Sequence, residues 1–598
     1  MKPNFNRRQF IVAALAPVAA TALVRSGIGQ ASAAEGVANA EKAAAVDAMK
    51  RAVVFMDQKL SYRGGYVWSY LPDLSVTWGE MEAKRTMCWI QPPGTPSVGH
   101  SYLDAYHATG DETFYAAAER TALALVEAQH PAGGWNYIHD FAGEDSLRQW
   151  YDTIGKSGWR LEEFQHYYGN ATFDDATTSV SAQLILRMYL EKRDARFAEP
   201  LEKAIRFVLA AQFVGGAADG GWPQRFPRHP NSITQMPLPT ERPPWLPADA
   251  THGMEDGEYT NHVTFNDDVI GENIKFLLLC VTGLGRTELI RPVRNAMECL
   301  RRLQQNGPQA GWGLQHLSRD QGTRKAGAPA GARSYEPRAL ATHTTQTNIR
   351  QLFAYFTLTG NKKYLARVPE AIAWLETCAL TPAQIAENPL LTGRTHPTFI
   401  ELGTNRGRFV HRFGSNARTG AYYYDYDHRD TISHYSAGRA IDLAGLRATY
   451  ARLTAMTDAE ISAMKSRSPL SNSGVRSLPK YFAFRDLDLV DLMLDAPLPP
   501  PTVTAEVATK LVTDLGTNDY WLTPLDAITN PYIGEPPSEL YAGRAYMSRH
   551  VGDLYDTSPY DAKVPPAIEP YVVRERPLGI SSAAFVSNLS KLTAYVAS

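Results

Sequence analysis

The chain has 598 residues, 44% of them hydrophobic and 20% charged, with a formal net charge of −2. That length can bury a large core, and it exceeds one ordinary domain unless the domain is a repeat or a toroid. The near-zero charge argues against a nucleic-acid partner, since it leaves no basic excess to displace counterions from phosphates.

In chain order, the N-terminus reads as a targeting segment. Asn6, Arg7, Arg8, Gln9 and Phe10 precede an apolar run, and Ala31, Ser32 and Ala33 form a small-residue cleavage pattern. A twin arginine before a short apolar run reads as an export signal; a bilayer span needs roughly 20 residues, more than the run offers. Residues 1–33 are therefore set aside as a twin-arginine signal peptide, and the protein is expected to be exported, periplasmic or secreted, with no membrane span. Residues 34–98 follow as an alanine-rich helix over 37–60 and an ordered loop, WIQPPGTPSVG at 89–99, whose prolines and glycines forbid a helix interior. Cys88, Cys280, Cys299 and Cys378 have no metal-type spacing, so neither zinc nor a disulfide framework is indicated.

From Gly99 the chain repeats itself. Three segments each read helix, turn, helix, and end at Trp135, Trp222 and Trp312, which stand 87 and 90 residues apart. A fourth helix pair covers 348–376. Helix pairs at a fixed period stack into solenoids or close into toroids. The expected fold over 99–485 is mainly α: an incomplete (α/α) toroid of repeated helix pairs, with short β segments and long loops on one face. The loops at 136–173, 223–265 and 313–345 share one phase of the period, so in a toroid they gather on a single functional face. The repeated Gln followed by glycine and Trp reads as structural, a tight turn with an indole filling the gap between pairs. Trp222 is set apart as a sugar-stacking residue because it belongs to the loop of the catalytic face.

Residues 227–261 read as a Pro-rich insertion. Beyond about 390, FIELGTNRGRFVHRF and ARTGAYYYDYD suggest short strands, and a helical stretch covers about 436–465. PLPPP at 497–501 reads as a linker or chain reversal, and residues 486–598 are a C-terminal extension that carries no functional motif.

Chemistry concentrates in HVTFNDD at 262–268. Asn266, Asp267 and Asp268 stand directly before the apolar run VIGENIKFLLLC. One of them can cap that helix through its side-chain oxygen. Two adjacent acids repel each other and want a cation; calcium takes carboxylate and amide oxygens.

The chain resembles the family 10 polysaccharide lyases, pectate lyases with a toroidal, mainly helical fold. The resemblance rests on WIQPPGTPSVG (89–99), FDDATTS (173–179), GGWPQRFP (220–227), HVTFNDDV (262–269), WGLQH (312–316), ARSYE (332–336) and ELGTNRGRFVHRF (401–413), in that order. It implies a calcium ion held by Asp174 or Asp175 and by Asp267, with Asp268 beside it. Phe173 stands where the family carries a further Asp, which leaves Asp174 and Asp175 both open as the ligand. It also implies Arg333 as catalytic base, and Arg406, Arg412 and Arg418 as clamps for substrate carboxylates, with Asn266, Tyr335 and Trp222 as further substrate contacts. The implied reaction is β-elimination of polygalacturonate. Arginine suits carboxylate recognition readily, whereas a base role requires its pKa to be lowered and its guanidinium to be free of a tight internal acid such as Glu336. His262 is the next candidate base. The expected partner is an acidic polysaccharide and the expected state a monomer. The alternatives are a lyase for another uronate polymer, a non-catalytic sugar-binding toroid, and a glycoside hydrolase with two opposed carboxylates.

Overall fold

A computed structural model describes residues 28–152, 169–227, 248, 250–252, 255–256, 259–388, 391–413, 421–429, 431, 438–472, 474–525 and 578–598; for 28–38 and a few others, Arg412 included, it describes the backbone alone. The twin arginine and Arg418 lie outside these residues.

The helices follow the punctuation of the sequence. α1 (Ile28–Phe55) runs on through one π turn to Leu60. α2 (Thr95–Thr109) starts inside the stretch expected to be loop, because Pro96 sits in its first turn, where a missing N–H leaves no bond unmade. α3 (Glu112–Glu127) opens on Asp111, whose carboxylate accepts from the Thr113 N–H. α4 spans Glu144–Asp152. The second pair is α5 (Thr177–Lys192) with α6 (Ala195–Ala211), the third α7 (Val269–Leu284) with α8 (Ile290–Arg302), and the fourth α9 (Thr342–Thr359) with α10 (Val368–Glu376). Further on come α11 (Pro382–Glu387), α12 (Leu443–Thr454) and α13 (Asp458–Ser466). The single helix expected near 436–465 is thus two, because Thr457 and Glu460 form a capping box that starts a new one.

α2, α5 and α7 pack side by side, each backed by its partner α3, α6 or α8. The inner helices are buried nearly all round: every residue of α7 from Val269 to Gly283 is buried, Glu272, Asn273 and Lys275 included. The outer α8 buries one stripe, Val293, Ala296, Met297 and Leu300, at the spacing of a half-exposed helix. The arc of pairs is an incomplete α/α toroid. At its N-terminal end, α14 (Ala505–Leu515) and α15 (Ser582–Ala597) pack on α1, and α15 also lies along α2. The strand Leu578–Ser581 pairs with Ser69–Tyr70. The described part of the C-terminal extension is therefore a wall of the same body.

The tryptophan turns repeat in atomic detail. The indole N–H groups of Trp135, Trp222 and Trp312 donate to the carbonyls of Leu125, Val208 and Leu300 at 2.8, 2.7 and 2.9 Å. Gln129, Gln212 and Gln304 each donate to a carbonyl of their own turn and to one on the next pair's outer helix or its approach: Pro200, Pro292 and Arg367. Gly133 and Gly220 have φ of +111° and +90°, and a Cβ there would come within 2.3 Å of the Lys203 carbonyl oxygen and 2.2 Å of that of Asn295. Only glycine fits so close an approach. All three tryptophans are fully buried.

After each tryptophan the chain pairs with the short strand that leads into an inner helix. Ile138–Asp140 pairs with Met87–Trp89, Arg225–Phe226 with Ala171–Thr172, and Gln315–Leu317 with His262–Thr264. The described parts of the three loops consequently gather at the N-terminal ends of α2, α5 and α7, on one face.

Candidate active site

Two of those helix N-termini carry the same unusual turn. Phe173 and Phe265 end their strands with N–H groups bonded to the carbonyls of Gln224 and Leu314. Two left-handed residues follow in each: Asp175 (φ 51°) with Ala176 (φ 57°), and Asp267 (φ 48°) with Asp268 (φ 57°). A non-glycine residue in that region costs about 1–2 kcal/mol, and such strain concentrates at functional sites. In this register Asp174 matches Asn266 and Asp175 matches Asp267. Phe173 is the counterpart of Phe265; its ring lies 5.1 Å from that of Phe207, so it packs the core.

The turns bring Asp174 and Asp267 into hydrogen-bond contact. Asn266 Nδ2 donates to Asp267 at 2.7 Å and reaches Asp174 at 3.4 Å. The Tyr137 hydroxyl donates to Asp174 at 2.5 Å. Asp175 is held by the side-chain amide of Gln91, which itself accepts from the Trp89 indole at 2.8 Å. Asp268 turns instead to α9 and accepts from Gln351 Nε2 at 2.6 Å. Of the four acids expected at the ion, the structure joins Asp174 with Asp267, ties Asp175 to Gln91, and ties Asp268 to the next helix pair.

Arg333 enters from the loop between the strands Pro329–Ala330 and Leu340–Ala341. It is 2% exposed, and its Nη1 lies 3.6 Å from Asp174 Oδ2. Its Nε and Nη2 grip Glu336 at 2.7 and 2.6 Å. The expectation of a guanidinium without a tight internal acid is therefore corrected: the turn in which Glu336 N–H bonds the Arg333 carbonyl brings the two side chains together as a fork. A carboxylate forked in this way favours the charged form of a guanidinium.

Burial alone would raise the Asp174 carboxyl, but Arg333, the Asp267 contact, Arg225 and Tyr137 outweigh it and hold it well below the carboxylate range. Asp267 is pushed up by the protein packed around it and by the charges of Asp175 and Asp174, although its side chain is open to solvent. Two carboxyls in contact oppose each other's charge, and a dication would relieve that opposition. Among the described residues no group of three or more His, Cys, Asp or Glu forms a finished metal sphere. Two carboxylates in contact and one amide still fit a hard cation that completes its shell with water and substrate oxygens.

The structure displaces other expected contacts. Trp222 is a packing residue like Trp135 and Trp312, with no face open to a sugar. Tyr335 is fully buried, its ring 5.3 Å from the Arg333 guanidinium carbon, so it backs Arg333 from within the protein. Arg406 is exposed and stacks on Tyr426 at 3.3 Å, available to a solvent-borne anion. Arg412 lies on the strand Gly407–Phe413. Motif reading missed Tyr137, Gln91 and Arg225, although Gln91 and Arg225 stand inside two of the quoted motifs. Arg225 is 1% exposed and lies 5.0 Å from the Tyr137 ring.

The loop face of the toroid thus carries a buried acid, Asp174, in contact with a solvent-exposed one, Asp267, with Arg333 beside them. The pectic acid lyase family model matches residues 148–428, just under half of the chain, which therefore carries a pectic acid lyase domain. Among solved structures it is similar to a family 10 polysaccharide lyase from Cellvibrio cellulosa, at 18% identity and TM-score 0.38, covering 60% of this chain and 98% of that one. A mutant of that lyase in complex with trigalacturonic acid gives 17% identity and TM-score 0.37, over 60% and 98%. An alpha-1,6-mannanase from Salegentibacter gives 12% and 0.30, over 55% and 68%. No curated protein matches. Among the described residues no helix is long and apolar enough to cross a membrane.

Proposed function

We propose that the protein is an exported, calcium-dependent pectate lyase that cleaves polygalacturonate by β-elimination. The observation that carries this reading is the contact of Asp174 with Asp267 across two equivalent strained turns, with Arg333 beside it. Asp174 and Asp267 would hold the ion, joined by Asn266. When bound, calcium neutralises charge that builds on the uronate carboxylate as the C5 proton leaves. Arg333, fixed by Glu336, places a second positive charge at the same point and favours the enolate-like transition state over the ground state. Its pairing supports that electrostatic role; taking up the C5 proton itself would require Glu336 to let go. Arg406, stacked on Tyr426, holds a carboxylate of a neighbouring sugar by its free edge. Export rests on the twin arginine and the small-residue site that follows it.

The test is absorbance near the ultraviolet band of unsaturated uronates, with polygalacturonate and a panel of other acidic polysaccharides, with and without a chelator. Elimination creates a conjugated product. A lack of absorbance while reducing ends accumulate would make the protein a hydrolase. Activity that survives full chelation would remove calcium from the reading.

A further inference from the structure

The loop that carries Arg333 is stapled at both ends by two adjacent acids from outside it. Asp256 Oδ2 accepts the Gly331 N–H at 2.7 Å, and Glu255 Oε2 accepts the Arg338 N–H at 2.6 Å. Between these staples the chain makes its tight turn: Ala332 N–H bonds the Glu336 carbonyl at 3.0 Å and Glu336 N–H bonds the Arg333 carbonyl at 2.7 Å. Asp256 is 4% exposed and is also forked by Arg338, Nε at 2.9 Å and Nη2 at 2.5 Å, and bonded by Arg324. The same segment supplies Tyr259, fully buried, packed on Ala332 and with its ring 5.8 Å from the Arg333 guanidinium carbon. Glu255, Asp256 and Tyr259 come from the end of the stretch that reads in the sequence as an insertion.

We infer that Glu255 and Asp256 are positioning residues for catalysis: together they fix the backbone of residues 331–338 so that Arg333 faces the Asp174–Asp267 pair. Neither acid reaches the reacting groups itself. Both act through backbone N–H groups of the loop, with Arg338 as the brace between them. A carboxylate bonded to a backbone N–H is a strong, directional hold, about twice the strength of a neutral bond. The position it protects matters because a displacement of about 1 Å in a catalytic group can cost on the order of 100-fold in rate. Burial of Asp256 works against its charge, yet Arg338, the Gly331 N–H and Arg324 hold its carboxyl below the ordinary value, so the staple is charged at neutral pH.

The inference rests on the role of Arg333 proposed above, and the experiment separates the two. Asp256→Asn, Glu255→Gln and Arg333→Lys are made singly in the full chain, and Asp256→Asn also in the Arg333→Lys background. Turnover, KM for polygalacturonate, thermal midpoint and backbone amide exchange over 331–338 are measured. For Asp256→Asn, kcat is expected to fall about 10–100-fold with KM within about twofold, the range for residues that orient a reacting group. Exchange at Gly331 and Arg338 should quicken while the helices stay protected. In the Arg333→Lys background the same change should cost far less, because two residues acting through one placement are not additive. Glu255→Gln, at a half-buried position, carries the test at the Arg338 amide if Asp256→Asn does not fold. Full turnover in a folded clamp variant, or a loss that multiplies independently of Arg333→Lys, overturns the clamp while leaving the lyase reading intact. Full turnover in Arg333→Lys alone overturns the role of Arg333, and the clamp with it.

Discussion

Arg333 presents Nη1 to Asp174 at 3.6 Å while its opposite edge is locked on Glu336 at 2.6 and 2.7 Å. One guanidinium therefore faces the candidate ion site and an internal acid at once. A cation so placed is pre-oriented for a developing negative charge, which is the cheapest way to stabilise it when the charge appears.

Glu336→Gln removes the charged partner and leaves a buried cation. Breaking a buried pair from one side costs about 3–5 kcal/mol, so urea unfolding should show a loss of that order, reduced by whatever Asp174 returns. Turnover should fall as Arg333 loses its fixed rotamer. A gain in turnover would instead show that Glu336 restrains a base.

Asp174→Asn and Asp267→Asn should each abolish calcium binding measurable by calorimetry and lower turnover by on the order of 100-fold or more, the effect of losing charge stabilisation at the reacting centre. Asp268→Asn should retain both, because its carboxylate is held on Gln351 of α9. Equal losses in all three would put Asp268 back at the ion.

Gln212 ties the second tryptophan turn to the Pro292 carbonyl of the next pair. Gln212→Ala strands two carbonyls and should cost about 1–3 kcal/mol in chemical denaturation. Trp222→Phe should also destabilise, with KM for polygalacturonate unchanged. A raised KM in a fully folded Trp222→Phe would restore Trp222 as a sugar contact.

His100 provides the pH dependence of stability. Buried, and with Nδ1 2.9 Å from Arg187 Nη1, it is pushed down to about 3 from 6.5, first by burial and then by the Arg187 charge. It is neutral in the folded state and takes a proton in the unfolded chain, so its contribution is whole above pH 6.5 and is lost as pH falls toward 3. The slope is about 1.4 kcal/mol per pH unit in that window. Urea unfolding at pH 7.5 and 5.5 should show His100→Asn losing about 1.4 kcal/mol less than the parent between the two. Equal losses would show that His100 is protonated in the folded protein.

What the sequence determined by itself was whatever depends on neighbours along the chain. Helix pairs show in their periodicity, and their ends in Gly110, Asp111, Asp194 and Asn361, because caps and left-handed stops are local devices. The repeated Gln and Trp and the order of the motifs are likewise legible in one dimension. Tertiary structure alone decided which acids meet. Asp174 and Asp267 are far apart in sequence, and they touch because two strained turns sit at neighbouring inner helices. It also decided that Trp222 faces inward, that residues 578–598 wall the N-terminal helices, and that Glu255 and Asp256 hold the loop of Arg333. Even Glu336, three residues from Arg333, was legible as a competitor and not as a partner. Whether two such side chains fork or splay depends on the path of the loop, and that path is set by carboxylates about 80 residues away in the chain.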